Sequence, residues 1–123
     1  MTQLVPHLLL RTEPGPSATA SLLRSGGYMV SRIDDDTIAV EIAGSSHVDG
    51  LIVELPALAA ISFARKMEAR HDQNVAVLVV TQSVDALRRA MPRVRTIRTS
   101  QIADDLISTV DLALVAHQMQ QTG

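Results

Sequence analysis

The chain has no cysteine and no tryptophan, and only one phenylalanine and one tyrosine. Without cysteine there is no disulfide framework and no thiolate metal site. With so few aromatic rings there is no stacking surface for single-stranded nucleic acid. A net charge of −2 is too small to make nucleic acid a default partner. The N-terminus lacks a basic region followed by a long apolar run, so no signal peptide is expected. No apolar run approaches the ~20 residues that span a bilayer. A cytoplasmic protein without a membrane partner is the expectation.

What is present is aliphatic. Hydrophobic residues make up 46% of 123 positions, enough for the core of a single domain over residues 1–123. Strand-like and helical runs alternate. His7 to Leu10 is a short apolar run that stops at Arg11, and Glu13-Pro14-Gly15-Pro16 is a turn. Ser17 to Ser25 forms a short helix with Ala18, Leu22 and Leu23 inside, closed by Gly26-Gly27. Tyr28 to Ile33 is the second strand. Asp34-Asp35-Asp36 then precedes a helical stretch from Thr37 to Ala43, with Ile38 and Ile42 on one face and Gly44-Ser45-Ser46 at its end.

Val48 to Leu55 is the third strand, and Ala57 to Arg70 a helix with Ala60, Phe63, Ala64 and Met67 on one stripe. Val75 to Val80 is a continuous apolar run, as expected of a central parallel strand covered on both faces. Ser83 caps a helix that Pro92 stops near Met91, and Val94 to Ile97 is the fifth strand. Ser100 caps a final helix that reaches about Gln121 and turns Ile102, Leu106, Val110 and Ala113 or Leu114 inward. Five β-α units predict a parallel sheet with helices on both faces, in the order 2-1-3-4-5. Ligands then meet the carboxyl ends of strands 1 and 3, which here carry Arg11-Thr12-Glu13 and Glu54.

In this order the pattern resembles the receiver domain of two-component response regulators, a flavodoxin-like α/β fold. The resemblance covers almost the whole chain. It rests on Leu-Leu-Leu-Arg-Thr-Glu-Pro at 8–14, Leu-Leu-Arg-Ser-Gly-Gly-Tyr-Met-Val at 22–30, Asp-Gly-Leu-Ile-Val-Glu-Leu-Pro at 49–56 and Val-Leu-Val-Val-Thr at 77–81. The resemblance implies an acidic pair that holds Mg²⁺, where this chain has Arg11 and Thr12 with Glu13 beside them. It places Glu54 where the family has its phospho-accepting aspartate. It keeps the hydroxyl position as Thr81, and puts Arg98 or Thr99 at the position of the lysine after strand 5.

Aspartyl phosphorylation needs a nucleophilic carboxylate beside a divalent ion. A guanidinium at position 11 repels that ion and is expected to pair with Glu54 instead. Glutamate is one methylene longer than aspartate, which moves the attacking oxygen off the in-line position. The expectation is a degenerate receiver, not an enzyme, without a cofactor. Glu54 is then a relic carboxylate in an ion pair, or a mimic of phosphoaspartate. The runner-up is an unorthodox phosphoacceptor that uses Glu54 or a nearby acid, with Glu13 on Mg²⁺. A third reading is a small-molecule site in the strand-end crevice.

The remaining features read blandly. Asp34 to Asp36 is a solvated turn whose last member caps the next helix, or with Glu13 a weak cation site. His7, His47, His71 and His117 show no metal spacing and no nucleophile–base arrangement. Thr81 satisfies nearby backbone or serves a switch. Gly26-Gly27 follows a helix, which excludes a phosphate loop. Arg88, Arg89, Arg93, Arg95 and Arg98 lie near Asp104, Asp105 and Asp111 across the fourth helix, fifth strand and fifth helix. That face is a self-complementary homodimer contact or a protein-partner surface; otherwise it is a solvated face with weak salt bridges. The long final helix serves a dimer contact or a link to an output domain.

Overall fold

The computed structural model describes residues 5–44, 48–69 and 75–122. The elements follow in the order β1 His7–Thr12, α1 Ala18–Ser25, β2 Met29–Ile33, α2 Asp36–Gly44, β3 Gly50–Glu54, α3 Ala57–Glu68, β4 Ala76–Thr81, α4 Val84–Ala90, β5 Arg95–Arg98 and α5 Ile102–Thr122. The five strands pair in parallel in the order β2-β1-β3-β4-β5. Strand order, strand number and direction agree with the sequence expectation.

Successive strand residues point to opposite faces of a sheet, and the core divides accordingly. Leu9, Leu51, Val53 and Val79 pack with Ala39, Ala60, Phe63 and Leu87 on the side of α2, α3 and α4. Leu8, Leu10, Ile52, Leu78 and Val80 pack with Ala20, Leu23, Leu106 and Val110 on the side of α1 and α5. Both faces of the central strands are therefore dry, and this is why β3 and β4 read as unbroken apolar runs. The registers Thr12↔Glu54 and Glu54↔Val80 bring the ends of β1, β3 and β4 level.

Several local expectations need correction. β1 does not stop at Arg11 but continues to Thr12, because the guanidinium finds an ionic partner beside the sheet. The inner face of α1 is Thr19, Ala20 and Leu23; Ala18 is exposed and Leu22 only half-buried. α2 buries Ala39, Val40 and Ala43, while Ile38 is 49% exposed. Its cap is Asp35, not Asp36: Asp35 Oδ1 accepts from the Ile38 amide at 2.9 Å. The helix thus begins one residue earlier than the sequence suggests, and its phase follows the small residues.

Gly26 caps α1 with an ordinary φ of −77°, and Gly27 takes the left-handed φ of 95°. Ser83 occupies the N-cap of α4 without a side-chain cap bond. Ser100 falls inside a 3-10 turn, Thr99–Gln101, that leads into α5. α5 buries Leu106, Val110 and Ala113, with Ile102 and Leu114 half-buried. The expected α3 terminus at Arg70, the α2 terminus at Ser45-Ser46, and His47 and His71 lie outside the described residues.

Phe63 is the largest fully buried side chain and stands at the centre of the α2–α3 layer. Phe63→Ala is expected to cost about 3–5 kcal/mol through lost burial and the cavity left behind. In urea unfolding this appears as a lower midpoint at unchanged slope.

Candidate functional site

The site is built around Glu54, the last residue of β3. Its side chain follows Ile52 onto the α1 side of the sheet, where α1 presents hydroxyls. Thr12 Oγ1 donates to Glu54 Oε1 at 2.8 Å and Ser17 Oγ donates to the same oxygen at 2.9 Å. Thr19 Oγ1 donates to Oε2. Ser17 Oγ also accepts from the Ala20 amide at 3.1 Å, capping α1. One hydroxyl thus starts the helix and holds the carboxylate. Thr12 and Thr19 are buried, with 5% and 0% exposure. Hydrogen bonds to a charged acceptor are worth about 1.5–3 kcal/mol each, so three of them replace much of what a cation would provide.

Arg11 does not pair with Glu54. It stands one residue away from Thr12 and therefore on the opposite face, with Leu9. There Arg11 Nε meets Asp36 Oδ1 at 2.6 Å, and Lys66 Nζ meets Asp36 Oδ2 at 2.8 Å. Arg11 also donates to the Thr12 carbonyl at 3.2 Å. Burial pushes the Asp36 carboxyl up, but the bonds and charges of Lys66 and Arg11 outweigh it and hold the group below its ordinary 3.8. The position of the expected acidic pair is thus split between a hydroxyl turned to Glu54 and a cation turned away from it.

A cleft of about 530 Å³ opens at these strand ends. Its polar lining includes Thr12, Glu13, Ser17, Glu54, Thr81 and Thr99. Thr81 is 2% exposed, and its Oγ1 has no hydrogen-bond partner among the described residues. The expectation that this hydroxyl satisfies nearby backbone is therefore not met. Of the two candidates for the lysine position, Thr99 lines the cleft and Arg98 does not. The loop after β1 is pinned from outside: Arg32 Nη2 donates to the carbonyls of Glu13 at 3.0 Å and Gly15 at 2.6 Å, and Gly15 adopts φ 112°.

Mg²⁺ seeks near-octahedral oxygen coordination. Among the described residues no three His, Cys, Asp or Glu side chains converge, and the Glu54 oxygens already accept three hydroxyls. This donor set does not fit the ion. Glu13 and Asp34 do share a recess, but Arg32 lines it with them, which counts against a cation there.

The histidines hold one surprise. His7 Nε2 and Ser31 Oγ lie 2.7 Å apart, and the His7 amide donates to Asp49 Oδ2 at 2.8 Å. A nucleophile and a base do meet, contrary to expectation. They do so at the start of β1, the end of the sheet away from the cleft, as a cross-strand pair set by the register Leu9↔Ser31.

On the arginine-rich face, Arg88 Nε donates to Thr96 Oγ1 at 3.1 Å. Arg89, Arg93, Arg95, Arg98, Asp104, Asp105 and Asp111 are exposed. Among the described residues none of them forms an ion pair, so the face keeps its charges open. Leu112, Val115 and Met119 add exposed apolar surface along α5.

Comparison with known proteins places the fold. No family model matches the chain, and no curated protein matches it. Solved structures do. A sensor protein from a Polaromonas species is 20% identical, with 91% of this chain and 98% of that one covered and a TM-score of 0.74. The receiver domain of a sensor histidine kinase from Pseudomonas aeruginosa, which has a magnesium ion coordinated in its active-site cleft, is 20% identical over 90% and 95%, at 0.65. A response regulator receiver domain protein from Clostridium thermocellum is 18% identical over 95% and 99%, at 0.68. The fold is the flavodoxin-like fold of response-regulator receiver domains. Among the described residues no helix is long and apolar enough to cross a membrane.

The Arg11–Asp36–Lys66 cluster has a pH signature. Because the folded carboxyl titrates below its ordinary 3.8, its contribution to stability is present above that value and is lost as pH falls through the folded pKa. Asp36→Asn is therefore expected to destabilise near neutrality. The gap to the parent protein should close on acidification, as followed by thermal melts across the acid range.

Proposed function

We propose that the chain is a receiver-type signalling module of a two-component system that works by protein–protein contact and does not accept a phosphoryl group. The observation that supports this best is the hydroxyl cage around Glu54. In the Pseudomonas neighbour a magnesium ion occupies the active-site cleft; here Thr12, Ser17 and Thr19 take up the carboxylate that such an ion would need. A carboxylate held by three hydroxyl donors is a weaker nucleophile, and without a metal nothing neutralises an incoming phosphoryl group.

The same geometry argues against a permanently active state. Glu54 turns toward α1 and leaves Thr81 without a partner, so its carboxylate does not engage the switch hydroxyl as a phosphoaspartate mimic would. The reading is a domain whose output is set by what binds its surface. It needs no resident cofactor, contacts neither nucleic acid nor membrane, and works in the cytoplasm. Its partner surface is the face of α4, β5 and α5, where arginines and aspartates stand exposed on neighbouring elements.

Two experiments test the reading. In a backbone amide NMR titration with Mg²⁺ and then Mg²⁺ plus beryllofluoride, the resonances of Thr12, Glu13, Glu54 and Thr81 are expected to stay in place. Saturable shifts there that spread into α4 and β5 would mean a working phosphoacceptor and end the proposal. In sedimentation at low salt, a homodimer is expected that dissociates in high salt and in Arg89→Glu/Arg95→Glu. A monomer throughout would leave the face to a different protein partner and remove the dimer.

A further inference from the structure

We propose that the strand-end cleft is a binding site for a small organic ammonium ion. Its volume of about 530 Å³ lies in the range of ~300–1,000 Å³ common to small-molecule sites. The lining carries two carboxylates, Glu13 and Glu54, and no lysine, arginine or histidine. Pro16, Leu55, Val80 and Ile102 supply apolar wall. An anion entering this space meets two like charges with no compensating cation. A cation with a hydrocarbon body meets complementary charge and wall together.

Two acids alone do not make a site. The second observation is Thr81, which lines the cleft with a side chain that is almost fully buried and a hydroxyl that has no partner among the described residues. A buried polar group left unpaired costs free energy, and whatever reaches it recovers that loss. Among the described residues Glu54 Oε2 accepts only from Thr19, so a lone pair remains for an N–H donor. Glu13 is exposed at the rim and can turn toward the same charge. An ammonium group suits these acceptors because its three donors rotate freely and impose no fixed coordination. A divalent metal does not suit them, since among the described residues no third acidic or histidine ligand converges. The inference needs only the cleft and stands apart from the signalling reading.

Cyclohexylammonium chloride is the probe, followed by amide NMR against cyclohexanol, cyclohexanecarboxylate and MgCl₂. Saturable shifts are expected at Glu13, Glu54, Thr81 and Gln82 with the ammonium. Cyclohexanol should bind at least about tenfold more weakly, as loss of a charged hydrogen bond implies, and the carboxylate should not bind. Thr81→Val, a near-isostere, gives the discriminating result. It should raise the melting temperature of the free protein, because the unpaired hydroxyl is gone, and weaken the ammonium several-fold. Glu13→Gln should weaken binding without moving the melting temperature. The proposal is overturned by absent or non-saturating shifts, by cyclohexanol or the carboxylate binding as well as the ammonium, by MgCl₂ saturating the same residues, or by a Thr81→Val protein that melts lower.

Discussion

Among the described residues one half-buried carboxylate, Glu54, is held by three hydroxyls from two elements, and the strand-end region is arranged around those bonds. Glu54 ends a strand buried on both faces and lines the cleft. Thr12 from β1, Ser17 from the cap of α1 and Thr19 from its first turn all donate to it. These donors come from two elements that the β1–α1 loop joins, and Arg32 grips that loop by two carbonyls. The carboxylate therefore fixes the start of α1 relative to the sheet as much as α1 fixes the carboxylate. Removing any one donor leaves this acceptor short of a bond that the fold supplies.

The alternation of a β-strand explains why charge and hydroxyl separate at the end of β1. Thr12 shares a face with Leu10 and looks toward α1; Arg11 shares a face with Leu9 and looks toward α2 and α3. The cation at position 11 thus points away from Glu54. It serves instead as half of a bridge between the sheet and two helices, with Asp36 at the head of α2 and Lys66 on α3. Asp36 sits in the first turn of its helix, where the dipole also favours a negative charge. Two neighbouring residues that read together as a damaged metal pair are, in space, parts of two independent networks.

This separation also marks the limit of what the sequence discloses. The five strands, their order and the stripe of α3 were legible because burial on both faces leaves unbroken apolar runs, and an amphipathic helix leaves a 3.6-residue period. Glu54 and Thr81 could be placed at the cleft because strand ends follow from strand positions, whereas the position after β5 stayed open between Arg98 and Thr99, of which Thr99 lines the cleft. The partner of Arg11 could not, since it depends on which face a residue takes at a strand end that the apolar pattern put one residue too early. Thr19 escaped for a different reason. A threonine on the inner face of a short helix looks like a weak core residue, and only the register Thr12↔Glu54 reveals that a carboxylate lies within its reach. In α2 the aliphatic residues at i and i+4 suggested one face, but the cap at Asp35 set the phase and small alanines took the interior.

The cleft and the charged face respond to different constraints, and this bears on how occupancy of one could reach the other. Here Glu54 bonds to α1 and, among the described residues, Thr81 Oγ1 has no partner, so no hydrogen bond joins the two side chains. A group in the cleft can engage Thr81, at the end of the strand that pairs with β5, and Thr99 and Ile102 at the head of α5. A ligand with differential affinity for two positions of that strand end can shift the population between them; one that binds both equally cannot. The hydroxyl of Thr81, unpaired among the described residues, is thus one point at which occupancy of the cleft can reach the charged surface.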